Sequence, residues 1–184
     1  MPPLLLLRKF KDAPEQGLLQ TKHGILFGGT SHEANGEVPV MKIMHAEAVQ
    51  MSLVRILLVD DFSLWQDFVR TCFKERSDVH ILGIASNALE AIRKAEDLQP
   101  DLILLDIGLP DMGGIEAAER IRQLVPKTKI IFLTGHSDPE FVREAFRAGG
   151  DGYILKWDAA TELVVGTESV LLGRKFTSSS VEEI

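Results

Sequence analysis

Two adjacent carboxylates, Asp60 and Asp61, follow a mostly apolar run at residues 54–59 with the sequence VRILLV. Like charges repel each other, and burial strengthens the repulsion, so such a pair needs a nearby cation or a raised pKa. Three later apolar runs also lead into polar side chains, namely Asp106, Thr134 and Lys156. The sequence therefore places carboxylates, a hydroxyl and an amine at equivalent points of its apolar segments.

This set of side chains suits phosphoryl transfer assisted by a hard divalent cation. Mg²⁺ takes oxygen ligands and relieves the repulsion between carboxylates. A carboxylate can act as the nucleophile and form an acyl phosphate, while the cation and Lys156 balance the charge of the phosphoryl oxygens. Asp106 is the best candidate nucleophile, because it ends the strand expected at the centre of the sheet. The loop after it, IGLPDMGG, can turn back to offer a backbone carbonyl.

The elements that must position these residues begin at residue 53, where short apolar runs start to alternate with amphipathic stretches. The predicted strands are 54–59, 80–85, 101–106, 129–134 and 152–155, and the predicted helices are 63–75, 88–98, 114–124, 138–148 and 158–172. Strict alternation with nearly continuous apolar strands predicts an α/β fold with a five-stranded parallel sheet and helices on both faces. In such sheets, sites form beyond the carboxyl ends of the strands.

Local residues support the helix predictions. The first helix carries an apolar stripe at helical spacing, formed by Trp65, Phe68, Val69, Cys72 and Phe73. Ser63 or Asn87 fits the start of a capping box, and Pro139 fits a first helical turn. Gly149 and Gly173 fit the residues that end helices.

Composition limits the class of protein. The chain has 184 residues, of which 45% are hydrophobic, enough for a substantial core. Its single cysteine, Cys72, excludes an intrachain disulfide and fits a reducing compartment, so we expect a cytoplasmic protein. The apolar run at residues 4–7 is too short to span a membrane and lacks the layout of a signal peptide.

Charge and periodicity divide the chain. Residues 1–50 carry five basic and five acidic side chains without sustained periodicity, so we expect an extension that is disordered or outside the functional fold. We expect the functional domain at residues 51–176 and a tail or the start of a linker at residues 177–184. The net charge of −7 falls after residue 50. An acidic domain is repelled by a phosphate backbone, so we expect no direct binding of nucleic acid.

Four segments, in this order and spacing, resemble the receiver domain of two-component response regulators over about residues 53–176. They are ILLVDD, DLILLDIGLPDMGGIEA, IIFLTGH and GYILK. The resemblance implies a flavodoxin-like (βα)5 receiver fold. The tail LLGRKFTSSSVEEI also resembles the receiver end of NarL/LuxR-type regulators, in which a linker leads into a helix-turn-helix DNA-binding domain.

The resemblance implies Asp106 as the phospho-acceptor, with Asp60 and Asp61 forming the acidic pocket for Mg²⁺. Asp61 would contact the ion directly and Asp60 mostly through water. The carbonyl of Gly108, two residues after the acceptor, would complete the protein ligands.

The resemblance also implies a switch next to the acceptor. Lys156 would bind the phosphoryl group as an ion pair, and Thr134 would hydrogen-bond to it after phosphorylation. Tyr153 matches the aromatic residue that turns inward when Thr134 moves. The surface formed by the fourth helix, fifth strand and fifth helix would then rearrange.

The expected function is therefore a receiver that accepts a phosphoryl group from a histidine kinase or phosphotransfer protein and alters a surface for a downstream protein or a fused output domain. It would catalyse its own phosphoryl transfer and dephosphorylation without turning over a separate substrate, and homodimerisation stays open. One alternative is the receiver fragment of a NarL/LuxR-type DNA-binding transcription regulator. Another is a metal-dependent phosphohydrolase, which would want a second Asp where this chain has Gly108.

Overall fold

The computed structural model describes residues 19–21, 24–26 and 53–181. The chain divides into two compact units, Met1–Gln50 and Met51–Ile184. In the first unit, strands β1 (Leu19–Thr21) and β2 (Gly24–Leu26) pair in antiparallel fashion, which the sequence pattern did not predict. The disorder expected for the rest of residues 1–50 lies outside the described residues.

The second unit alternates strands and helices as predicted from the sequence. Its elements are β3 (Val54–Val59), α1 (Ser63–Cys72), β4 (Val79–Ala85), α2 (Ala88–Leu98), β5 (Leu102–Leu105), α3 (Gly114–Leu124), β6 (Lys129–Thr134), α4 (Pro139–Arg147), β7 (Gly152–Leu155), α5 (Ala159–Leu171) and β8 (Phe176–Thr177). None of the helices in the described part of the chain has the length and apolar character needed to cross a membrane.

The strands form one sheet in the order β4-β3-β5-β6-β7-β8, and every neighbouring pair is parallel. The parallel α/β architecture is confirmed, with six strands instead of the expected five. The additional strand, β8, is two residues long, too short to show a period. It is fixed by backbone hydrogen bonds from Phe176 to Asp151 and from Ser178 to Tyr153.

Alternate residues of the central strands face two separate apolar clusters, one on each side of the sheet. Leu57 and Ile103 belong to the cluster covered by α2, α3 and α4. Ile56 and Leu102 belong to the cluster covered by α1 and α5. Because both faces are covered, the strands are buried along nearly their whole length, which explains their continuous apolar sequences.

The helix ends follow the sequence except at the first helix, which ends at Cys72 and not at the predicted residue 75. The Asn87 side chain accepts a hydrogen bond from the backbone N–H of Glu90 at the start of α2, and Gly149 and Gly173 adopt φ of 94° and 81° after α4 and α5. The prediction that Ser63 caps the first helix is wrong, because Ser63 is its first helical residue. The Gln66 side chain instead donates to the backbone carbonyl of Asp60 at 2.7 Å.

The register of the sheet brings the polar residues together. Val59 pairs with Leu105, and the backbone N–H of Asp106 donates to the Val59 carbonyl. Thr134 pairs with Leu155, directly before Lys156. The acids, the hydroxyl and the amine therefore lie together at the carboxyl ends of the strands.

At the opposite end of the strands, the Asp151 carboxylate joins several elements. It accepts hydrogen bonds from the Arg122 guanidinium at 2.9 Å, the Lys129 ammonium at 3.1 Å and the backbone N–H of Ile130 at 3.2 Å. Burial alone would raise the pKa of Asp151, but the Ile130 N–H and the Lys129 ammonium lower it below its ordinary value. The charged carboxylate therefore stabilises the fold.

We predict that Asp151→Asn lowers the free energy of unfolding by about 1–3 kcal/mol at neutral pH, because it removes a charged acceptor shared by partly buried donors. A lowered pKa contributes stability above the unfolded-state value, and that contribution is lost as the pH falls through the folded-state value. The difference between the variant and the wild type should therefore shrink on acidification. Urea denaturation across this pH range measures it, with the exposed Asp67→Asn as the matched control.

Candidate functional site

Three carboxylates meet beyond the carboxyl ends of β3 and β5. Oxygens of Asp60, Asp61 and Asp106 all lie within 4.8 Å of one another. Asp60 and Asp106 are buried, with 1% and 8% of their surface exposed, whereas Asp61 is exposed. The pairing of Val59 with Leu105 brings these residues, which are far apart in the sequence, to the same end of the sheet.

Lys156 enters this cluster from the end of β7. Its ammonium lies 2.7 Å from Asp60 Oδ2 and 2.7 Å from Asp106 Oδ2. Burial alone would lower the pKa of Lys156, but the contacts with Asp106 and Asp60 outweigh it and raise that pKa above its ordinary value. The ammonium is therefore fully charged at neutral pH.

One ammonium does not balance the three carboxylates. Desolvation raises the pKa of Asp60, and the Lys156 contact offsets this only in part. Asp60 Oδ2 is buried, and no well-directed hydrogen bond from the described residues reaches it. Asp61 makes no ion pair with any described residue. The residues present fit a hard divalent cation that takes carboxylate oxygens.

The loop after Asp106 holds the carboxylate in a fixed orientation. The backbone N–H of Gly108 donates to Asp106 Oδ1 at 3.1 Å, while Lys156 binds the other oxygen. Gly114, the first residue of α3, packs against the Asp106 backbone so closely that a Cβ there would collide with its carbonyl oxygen. The loop thus needs glycine at this position, and the use of the Gly108 carbonyl as a ligand stays a prediction.

Thr134 and Tyr153 meet at the backbone of His136. The Thr134 hydroxyl accepts a hydrogen bond from the His136 N–H at 3.3 Å, and the Tyr153 hydroxyl donates to the His136 carbonyl at 2.8 Å. Tyr153 is fully buried, so its ring already occupies the inward position. Burial, together with the Asp138 charge, raises the pKa of Tyr153. Thr134 makes no hydrogen bond to the acidic cluster in the described part of the chain.

The sequence pattern missed one neighbour of the site, Trp65. We assigned it to the apolar stripe of the first helix, and it does pack there. Its ring centroid, however, lies 5.4 Å from the Lys156 ammonium. The sequence offers no indication of this contact, because helical periodicity reports burial and not the neighbour contributed by another strand.

Comparisons with known proteins agree with this geometry. A family model described as the response regulator receiver domain matches residues 56–166. The chain is 37% identical over 128 residues to the uncharacterized transcriptional regulatory protein YhcZ of Bacillus subtilis, a match that covers 70% of this chain and 59% of YhcZ. It is 36% identical over 110 residues to the response regulator VraR of Staphylococcus aureus, covering 60% of this chain and 53% of VraR. The chain thus spans little more than half the length of these relatives.

Solved structures are similar as well. A LuxR-family two-component response regulator from Aurantimonas sp. superposes with a TM-score of 0.68 at 35% identity, covering 71% of this chain and 93% of that one. The signal receiver domain of the response regulator NarL from Mycobacterium tuberculosis gives a TM-score of 0.63 at 28% identity, covering 67% and 99%.

We predict that Lys156→Met lowers the free energy of unfolding by about 2 kcal/mol at neutral pH, because Asp60 then stays buried without a compensating charge. Without the ammonium, the pKa of Asp60 rises further above its ordinary value of 3.8. A raised pKa contributes stability below the unfolded-state value and loses it as the pH increases.

The deficit should therefore be largest at neutral pH and smallest near the ordinary pKa of Asp. Urea denaturation at both pH values measures it. Lys127→Met replaces an exposed lysine and serves as the matched control. A deficit that did not change with pH would contradict the electrostatic explanation.

Proposed function

The chain belongs to the response regulator receiver family, and we propose that it accepts a phosphoryl group on Asp106 during two-component signalling. Members of this family are signal transducers, and phosphorylation and Mg²⁺ are standard for them. The observation that carries the proposal is the environment of the Asp106 carboxylate, that is, its burial and its two hydrogen-bond partners. It is buried, with Lys156 on one oxygen and the Gly108 N–H on the other.

Mg²⁺ would be held by Asp61, Asp60, Asp106 and the carbonyl of Gly108. When bound, the ion would supply positive charge to the acceptor carboxylate and to the incoming phosphoryl oxygens. Asp61 is the natural direct ligand, because it is exposed and makes no ion pair with a described residue. Asp60 already forms an ion pair with Lys156 at 2.7 Å, so we expect it to contact Mg²⁺ through water.

The transfer itself is a displacement at phosphorus. An oxygen of Asp106 attacks, a P–O bond forms, and the P–N bond to the imidazole of the donor histidine breaks with its electron pair passing to nitrogen. Lys156 leaves the Asp106 oxygen and pairs with the phosphoryl oxygens. Because both Asp106 oxygens are oriented before the donor arrives, little reorganisation is needed.

The switch would run through His136. Its N–H contact with Thr134 is long, at 3.3 Å, so the hydroxyl is free to turn toward a phosphoryl group. The carbonyl of the same residue accepts a hydrogen bond from the Tyr153 hydroxyl. A change at Thr134 would therefore reach the buried tyrosine through the backbone of one residue. Phosphorylation would need only to bias two existing arrangements.

The proposed partners follow from this chemistry. A histidine kinase or phosphotransfer protein would donate the phosphoryl group, and a downstream protein or fused output domain would read the altered surface. We propose a cytoplasmic location, consistent with the single cysteine, Cys72. We also propose that no separate substrate is turned over, since Gly108 stands where a phosphohydrolase would carry its general acid.

A second candidate function is supported by the relatives. YhcZ is described as a transcriptional regulatory protein, and the chain spans 59% of its length. The receiver would then be one part of a NarL/LuxR-type regulator in which another segment contacts DNA. Homodimerisation would fit such a regulator and is part of this proposal.

We predict that phosphoramidate with Mg²⁺ adds one phosphoryl group to the full chain, seen by intact mass and removed by hydroxylamine as expected for an acyl phosphate. Asp106→Asn should abolish the addition, because it removes the nucleophile. Asp111→Asn, in the same loop, should retain it. Equal addition to the Asp106 variant would refute the site, and steady-state release of phosphate from a small ester would favour a phosphohydrolase.

We predict that Asp61→Ala weakens Mg²⁺ binding by about tenfold or more, and more than Asp60→Ala does, because Asp61 would be the direct ligand. Titration calorimetry with Mg²⁺ alone measures both affinities. Asp67→Ala, an exposed acid on α1, is the matched control. The reverse order of the two losses would exchange the assigned roles.

A further inference from the structure

We propose that Trp65 is a positioning residue that holds the Lys156 ammonium over the acidic site through a cation–π contact, an inference that rests on the function proposed above. The ammonium lies 5.4 Å from the centroid of the Trp65 ring. A lysine ammonium within about 6 Å of an aromatic face is attracted by the ring, and Trp gives the strongest such contact. Lys156 therefore has three anionic or π neighbours: Asp60, Asp106 and Trp65.

The Trp65 ring is itself held by packing along α1. It stacks on Phe68, with the centroids 4.6 Å apart and the planes at 15°. Both side chains pack against the apolar cluster under α1 and α5. A rigid ring offers the ammonium a fixed surface, which a flexible side chain could not provide.

The indole N–H does not explain why a tryptophan occupies position 65. The indole N–H is buried and has no hydrogen-bond partner among the described residues. An unpaired buried donor destabilises a fold, a cost that Leu or Phe at this position would not carry. The ring face toward Lys156 is a contact that Leu could not make and that Phe would make more weakly.

The proposed reaction gives this contact a purpose. Lys156 has to leave the Asp106 oxygen and follow the phosphoryl group, so its contact with Asp106 is broken during transfer. Its side chain is 24% exposed and has a long flexible stem, which can swing into solvent. The ring attracts the ammonium over a broad face, and so keeps it at the site while its carboxylate partner changes.

The test compares the rate of phosphoryl uptake from phosphoramidate with Mg²⁺ in full-chain variants. Trp65→Leu should slow uptake about three- to tenfold, the loss expected for one cation–π contact. Trp65→Phe should restore part of the rate, because it keeps a weaker aromatic face. Trp157→Leu makes the same exchange at a tryptophan that is 56% exposed and adjacent to Lys156, and should keep the wild-type rate.

A second measurement does not depend on phosphorylation. The ε-methylene protons of Lys156 should show an upfield NMR shift from the indole ring current in the wild type. Trp65→Leu should lose the shift, and Trp157→Leu should keep it. Urea denaturation of each variant identifies conditions under which all variants are folded. Rates are compared under those conditions, so that a slow rate cannot result from unfolding.

A folded Trp65→Leu protein with the wild-type rate would overturn the proposal. Equal losses in Trp65→Leu and Trp65→Phe would also overturn it, since they would indicate an effect of volume. If the wild type took up no phosphoryl group, the proposed function would fail. The ring-current shift would still decide whether Trp65 holds the ammonium.

Discussion

Repulsion between carboxylates at the carboxyl ends of a parallel sheet is the interaction on which the rest of this structure depends. Asp60 and Asp106 are buried side by side, and among the described residues the Lys156 ammonium is the one cation that lies between them. Such an arrangement is unfavourable in an isolated strand pair and is tolerable only where surrounding elements fix it. The fold has to hold the charges together and still leave the site short of positive charge, which is the property that the proposed binding of a cation and a phosphoryl group would use.

The surrounding core supplies that constraint. Every residue of β5 is buried, and apolar clusters on both faces fix its position relative to β3. The Asp106 N–H donates a hydrogen bond to the Val59 carbonyl, so Asp106 cannot move away from Asp60 and Asp61 without breaking the pairing of β3 and β5. The close packing of Gly114 against the Asp106 backbone fixes the other side. Packing energy far from the charges thus maintains their spacing.

The sequence predicted two kinds of feature in this arrangement, namely the repeated apolar strands and the polar residues that follow them. Alternating apolar runs gave the parallel sheet, and the polar residues after them gave Asp60, Asp61, Asp106 and Lys156 as one group. Features that depend on single tertiary contacts were not predictable in this way. β8 has too few residues to show a period, and Gln66 bonds to the Asp60 carbonyl instead of closing a capping box. Trp65 reads as a core residue, because periodicity reports burial and not which cation lies above the ring.

The short strand β8 also affects how the molecule meets other chains. An uncovered strand presents unpaired N–H and C=O groups to which a foreign strand can add. Without β8, the buried apolar sequence of β7 would form such a template directly beside Lys156. Instead, the Ser178 N–H donates to the Tyr153 carbonyl, and the Ser178 hydroxyl accepts from the Leu155 N–H at 2.9 Å. Two paired residues and one serine therefore cover the edge of β7, which limits edge-to-edge aggregation there.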